Sequence, residues 1–119
     1  MSRLIYVFAL LLTVSSAFAG EADVIDARAE ETAPGVWTFS VTVRHGDEGW
    51  DHYADRWDVM IGDEVIATRV LAHPHEHEQP FTRSLSGVEI PGEVEAVTIR
   101  ARDSVHGYGG AVFTLTLPR

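Results

Sequence analysis

The 119-residue chain contains no cysteine and no lysine. The first absence excludes a disulfide framework, a thiolate metal site, a cysteine nucleophile and the cysteine-borne lipid of a lipoprotein. An exported domain without disulfides is held together by packing alone. Small extracellular domains usually carry disulfides, so their absence favours a periplasmic address over a fully extracellular one. The second absence leaves nine arginines against 18 carboxylates and a net charge of −9 with histidine neutral. That charge repels phosphate backbones and anionic lipid, which makes nucleic acid and membrane surfaces poor partners and cations good ones. The same acidity also serves plain solubility. Methionine is scarce, with Met60 alone beyond the initiator. Phosphate loops and nucleophile elbows are missing, and Ser84, Ser86 and Ser104 stand near histidines in sequence only, so the chain reads away from an enzyme. A zinc hydrolase with an open coordination position is the one enzymatic reading left.

Residues 1–19 are expected to lie outside the fold. Arg3 gives a positive start, Leu4 to Val14 an apolar stretch, and Ser16-Ala17-Phe18-Ala19 the small-x-small pattern read by signal peptidase. The expected domain organisation is therefore a cleaved signal peptide over 1–19 and a single domain over 20–119, placed in the periplasm or secreted. The rival reading is an uncleaved anchor. Without Arg3 the charge becomes about −10. The apolar stretch is short for a membrane span, and no second one follows after cleavage.

Period-two alternation dominates what remains. Trp37, Phe39, Val41 and Val43 alternate with Thr38, Ser40, Thr42 and Arg44. Similar rows are Trp57-Val59-Ile61, Val97-Ile99-Ala101 and Phe113-Leu115-Leu117. Gly62-Asp63 reads as a tight turn into Val65 to Leu71, Phe81 to Ile90 as a strand bent near Ser86-Gly87, and Asp23 to Glu31 as an edge strand. Turn signals at Ala33-Pro-Gly, Gly62-Asp, Pro91-Gly and Gly109-Gly complete an all-β, seven-stranded antiparallel two-sheet sandwich. Its expected core is Trp37, Phe39, Val41, Trp57, Val59, Ile61, Leu85, Val97, Ile99, Phe113 and Leu115.

The stretch from Ile90-Pro-Gly through Val97-Thr-Ile-Arg-Ala-Arg-Asp103 resembles the corner and sixth strand of fibronectin type III and related immunoglobulin-like domains. Ala96 and Val97 stand where that family's usual tyrosine is expected. The resemblance implies the fold and no activity. A second, more local resemblance covers most of the chain beyond residue 19. Gly49-Trp-Asp-His-Tyr-Ala-Asp-Arg-Trp57, His73-Pro-His75, Glu78-Gln-Pro-Phe-Thr-Arg-Ser-Leu85 and Asp103-Ser-Val-His-Gly-Tyr-Gly-Gly110 resemble segments of uncharacterised small secreted proteobacterial proteins. It implies no site residues.

In such a sandwich successive connections alternate between two poles. The connections 45–55, 72–80 and 103–110 then share one pole. They hold all six histidines, namely His45, His52, His73, His75, His77 and His106, together with Trp50, Tyr53, Tyr108, Asp51 and Asp103. Long polar loops on a rigid scaffold are where binding residues concentrate. Two readings of that pole stand side by side. In the first, His73, His75 and His77 line one side of an extended run, with His52 and His106 completing the set and Asp51 or Asp103 orienting it. Imidazole and carboxylate without thiolate suit Zn(II), Cu(II) or Ni(II). His45, at a strand end beside Arg44, reads as the weakest ligand. In the second reading, Trp50, Tyr53 and Tyr108 form an aromatic platform for a protein or carbohydrate partner, with Arg56 and Arg83 as polar anchors.

Overall fold

Trp37, Phe39, Val41 and Val43 are buried along one face of a strand, while Thr38, Ser40 and Thr42 on its other face stay half-exposed. That strand belongs to a series of seven in residues 20–119, the part of the chain described by the computed structural model. The expected signal segment lies outside these residues. The strands are β1 (Asp23–Ala33), β2 (Val36–Arg44), β3 (Ala54–Ile61), β4 (Glu64–Val70), β5 (Phe81–Glu89), β6 (Ala96–Asp103) and β7 (Phe113–Thr116). All neighbours pair antiparallel, in one sheet of order β1-β2-β5 and a second of order β4-β3-β6-β7. This is the seven-stranded antiparallel two-sheet sandwich that the alternation predicts.

The expected edge strand β1 lies at an edge, and the bend in β5 is a bulge. Opposite Trp37 and Phe39 the β5 partners are Val88 and Leu85, so Ser86-Gly87 face one β2 residue. Two-residue turns close β1–β2 at Pro34-Gly35 and β3–β4 at Gly62-Asp63. At the pole opposite the histidines, the corner between β5 and β6 is held by Arg119. Its guanidinium donates to the carbonyls of Pro91 (2.9 Å) and Val94 (2.8 Å) and lies over the ring of Trp37.

Of the expected core, Trp37, Phe39, Val41, Trp57, Val59, Val97 and Ile99 are fully buried. Ile61, Leu85, Phe113 and Leu115 are half-buried and pack against it. All four sit where covering strands end. Ile61 borders a turn, Leu85 a bulge, and β7 is a four-residue edge strand. Leu71, Phe81, Val88, Ile90, Ala101 and Leu117 add to the interior.

Candidate metal centre

The buried row of β2 does not stop at Val43. Residue 45 is the next position on the same face, and His45 is buried with its side chain fully enclosed. The row Val97, Ile99, Ala101 of β6 likewise runs on to Asp103, also fully buried. Because β2 and β6 belong to opposite sheets, the two side chains meet across the upper end of the core. His45 Nε2 contacts Asp103 Oδ2, and His45 Nδ1 contacts Asp47 Oδ1 at 2.5 Å.

A second imidazole enters from the loop between β2 and β3. Gly49, at φ 77°, makes the left-handed turn that lets this loop double back. The Glu48 N–H donates to the His52 carbonyl at 2.7 Å. His52 then points its Nε2 at the same Asp103 Oδ2 (2.7 Å) and its Nδ1 at Glu48 Oε1 (2.7 Å). The rings of His45 and His52 are 4.8 Å apart. His106, from the loop after β6, packs 5.0 Å from His52 with its Nδ1 3.4 Å from Asp103 Oδ1. The other load on Asp103 Oδ1 is local, from the N–H groups of Val105 (2.6 Å) and His106 (2.8 Å).

Electrostatics follow from these contacts. Burial opposes the His45 cation, but hydrogen bonds and charges from Asp47 and Asp103 outweigh it and raise the pKa. His52 is raised chiefly by Glu48, against partial burial and with help from Asp103. Burial works against ionisation of Asp103, yet the His106 and Val105 N–H groups and the two imidazoles lower its pKa to about 2. Asp47 is lowered for the same kind of reason, accepting from His45, the His75 N–H (2.6 Å) and the Ala54 N–H (3.0 Å). With both ring nitrogens on carboxylates, these contacts favour the doubly protonated form of each imidazole. A divalent cation can take the place of the two Nε2 protons.

His45, His52 and Asp103 each offer a ligand atom within 4.8 Å of the others. Tetrahedral zinc with ligands at about 2.0–2.1 Å needs those atoms about 3.3 Å apart, so Asp103 Oδ2 would have to draw back from the two Nε2 atoms it now contacts. The remaining ring nitrogens already sit on Asp47 and Glu48, the carboxylate–histidine arrangement that orients metal-binding imidazoles.

The other expected residues fall into place around this centre. His75 is buried, stacks on Phe81 at 4.0 Å, and its Nε2 meets the Arg83 guanidinium at 2.8 Å. Arginine only donates, so that nitrogen accepts and the ring is neutral. Burial, Arg83 and His73 all lower its pKa. His73 is exposed with its ring 4.8 Å from His75, and His77 is exposed. The three therefore differ in setting, His75 being buried and His73 and His77 exposed. Their loop instead braces the centre, since Asp47 accepts the His75 N–H and Gln79 Oε1 accepts the His45 N–H (2.9 Å). Arg83 pairs with Glu78 at 3.1 Å. Asp51 is exposed. Trp50 is 67% exposed and meets Tyr53 edge to face at 5.7 Å. Tyr108 leaves the pole altogether, donating to Asp58 Oδ2 at 2.8 Å on the outer face of the second sheet.

Three members were underrated by sequence reasoning. His45 reads as the weakest ligand candidate, and Asp47 and Glu48 stand out in the sequence only as two of several carboxylates in the same loops. The signal for His45 was present, because the inward row 37, 39, 41, 43 continues to 45. Nothing comparable marks Asp47 and Glu48, whose roles arise from the doubling-back of the loop.

No protein-family profile matches the chain, and no solved structure matches it. A protein of Halomicrobium mukohataei described as "Putative lipoprotein" is 41% identical over 92 residues, covering 76% of this chain and 44% of that protein. The chain thus spans less than half the length of this relative. The match supports a resemblance to an uncharacterised protein, but this relative is archaeal and does not show the expected proteobacterial origin. These 119 residues hold no cysteine to carry a lipid.

Proposed function

We propose that this is an exported protein that binds a divalent transition metal, Zn(II), Cu(II) or Ni(II), at its upper pole. His45 Nε2, His52 Nε2 and Asp103 Oδ2 are the ligand atoms, and His106 stands at the rim. The observation that carries the reading is the convergence of two imidazoles, each anchored through Nδ1 on a carboxylate, upon one carboxylate oxygen. Imidazole and carboxylate donors without sulfur suit these three metals. The signal-like first 19 residues and the lipoprotein description of the Halomicrobium relative support a periplasmic or secreted address. Among the described residues no helix is long and apolar enough to cross a membrane.

Calorimetric titration of metal-stripped protein tests this. Zinc binding should be micromolar or tighter and lost in His52→Ala, whose partly exposed side chain is the safer one to remove. It should persist in His73/His75/His77→Ala checked for folding by circular dichroism. Millimolar binding, or binding that needs only the 73–77 run, contradicts the assignment.

A second reading rests on Trp50, a large aromatic surface left open beside Tyr53. A protein or carbohydrate partner docking there would be lost in Trp50→Ala and indifferent to His52→Ala.

A further inference from the structure

The loop between β6 and β7 carries His106 and is fixed at both ends. At its start Asp103 and Gly107 exchange backbone hydrogen bonds (2.9 and 2.8 Å), a closure that requires the left-handed φ of 74° at Gly107. At its end the Ala111 N–H donates to Asp23 Oδ1 (2.7 Å), the Val24 N–H donates to the Ala111 carbonyl (2.9 Å), and a β-carbon on Gly110 would overlap the Ala22 carbonyl. Between these ends the chain divides at Gly107. His106 goes over the pole toward His52, and Tyr108 goes down the outer face of the second sheet.

That outer face holds a prepared receptor for Tyr108. Thr68, Asp58 and Arg100 form a row across β4, β3 and β6, because Asp58 pairs with Thr68 on one side and Arg100 on the other. Asp58 is buried although it points away from the core. It accepts from Thr68 Oγ1 (2.7 Å), Arg100 Nε (3.1 Å) and the Tyr108 hydroxyl (2.8 Å). The Arg100 guanidinium carbon lies 3.7 Å from the centre of the Tyr108 ring, a cation–π contact, with Arg56 at 5.8 Å on the same ring. Asp58, with Thr68 and Arg100, would be satisfied on the sheet without the tyrosine. What Tyr108 adds is a tether between a rigid three-strand row and the middle of the loop.

We propose that Tyr108 is a positioning residue of the metal centre. Its bond to Asp58 holds His106 against His52, within a rotamer change of the His45–His52–Asp103 ligand atoms, so that His106 serves as a further ligand. This rests on the metal reading above. His106 itself is 43% exposed in its side chain; among the described residues its ring makes no hydrogen bond, and the long 3.4 Å contact to Asp103, the packing on His52 and the approach of Gly20 fix it weakly. The tether supplies what they lack, and it acts through the two intervening backbone bonds of a turn whose geometry Gly107 sets.

The test compares wild type, Tyr108→Phe, His106→Ala and the double variant, each as the full chain beyond the signal segment. Tyr108→Phe keeps the ring under Arg100 and removes only the hydroxyl. Zinc affinity should fall about 10-fold or more in Tyr108→Phe, in the range seen when outer partners of metal ligands are removed. The double variant should bind no more weakly than His106→Ala, because the tyrosine acts through the histidine. Metal-free protein gives an independent readout. A nuclear Overhauser contact between the His52 and His106 ring protons should be present in wild type and lost in Tyr108→Phe. Retention of that contact, or affinity losses that multiply in the double variant, would overturn the proposal and leave the metal reading standing. A wild type that binds no zinc removes the ligand role and the metal reading together, and the ring contact then reports only whether the tether holds the loop.

Discussion

His45 and Asp103 come from opposite sheets and touch across the upper end of the core, each at the next inward position of a buried strand row. A sandwich core of apolar side chains would ordinarily be closed here by a leucine or a valine. Closing it with an ionisable pair costs desolvation that only good partners offset, and the four carboxylate contacts to His45 and His52 are those partners. The same enclosure that makes the pair costly makes it a shaped, protected site for a cation.

Removing the charge at its centre should therefore be severe. Asp103→Asn leaves two imidazoles without their shared acceptor and two backbone N–H donors on a weaker one. A loss of about 3–5 kcal/mol in the metal-free protein is expected, by analogy with broken buried ion pairs. Urea unfolding checks it, and a loss under 1 kcal/mol would show that the contacts contribute little.

The pH dependence has a definite sign. His45 and His52 are raised above 6.5, so their protonated rings stabilise the fold below that value, and this is lost as pH rises through the raised values. Asp103, lowered from 3.8 to about 2, contributes stability above pH 3.8 that is lost as pH falls toward 2. Metal-free protein should thus lose stability below about pH 4 and again as pH rises above 6.5, with the lowered His75 opposing His45 and His52 near 6.5, and its melting temperature should drop on the alkaline side. Zinc needs the deprotonated rings, so its stabilising effect should grow over the same interval. A metal-free melting temperature that is flat or rising from pH 6 to 8.5 contradicts the protonated cluster.

Asp47 never reaches the proposed metal but orients His45 and pins both the β3 start and the 72–80 loop. Asp47→Asn should weaken zinc binding about 10- to 100-fold, the usual penalty for losing such a partner. Calorimetry at constant pH measures it. An unchanged affinity would mean that His45 is not a ligand.

In the core, Trp57→Ala should cost about 3–5 kcal/mol, since the indole is fully enclosed between the sheets. A thermal scan retaining the wild-type transition would show the inward face of β3 misassigned.

Much of this was legible in the sequence, for a physical reason. Strands with one dry face must alternate, so Trp37 to Val43 and Val97 to Ala101 announce both the sheets and their inward sides. Antiparallel connectivity then sends all six histidines to one pole. Which of them meet was less legible. His73, His75 and His77 catch the eye as a run, yet an extended run needs a partner strand, and 72–80 is a loop shaped by Phe81, Arg83 and Gln79. His45 looked like a strand-end residue beside an arginine, although its odd-numbered position already placed it inside. Tyr108 shares the pole in sequence, but its turn at Gly107 carries it to Asp58. Contacts that depend on how a loop folds back cannot be read from periodicity.

The central claim is that His45 and His52, rather than the 73–77 run, hold the metal. Histidine-selective 15N spectroscopy during a zinc titration of metal-stripped protein tests it most directly. One equivalent of zinc should move the Nε2 resonances of His45 and His52 to metal-bound values while His77 stays as it was. Movement of His73, His75 and His77 with His45 unchanged would contradict the account.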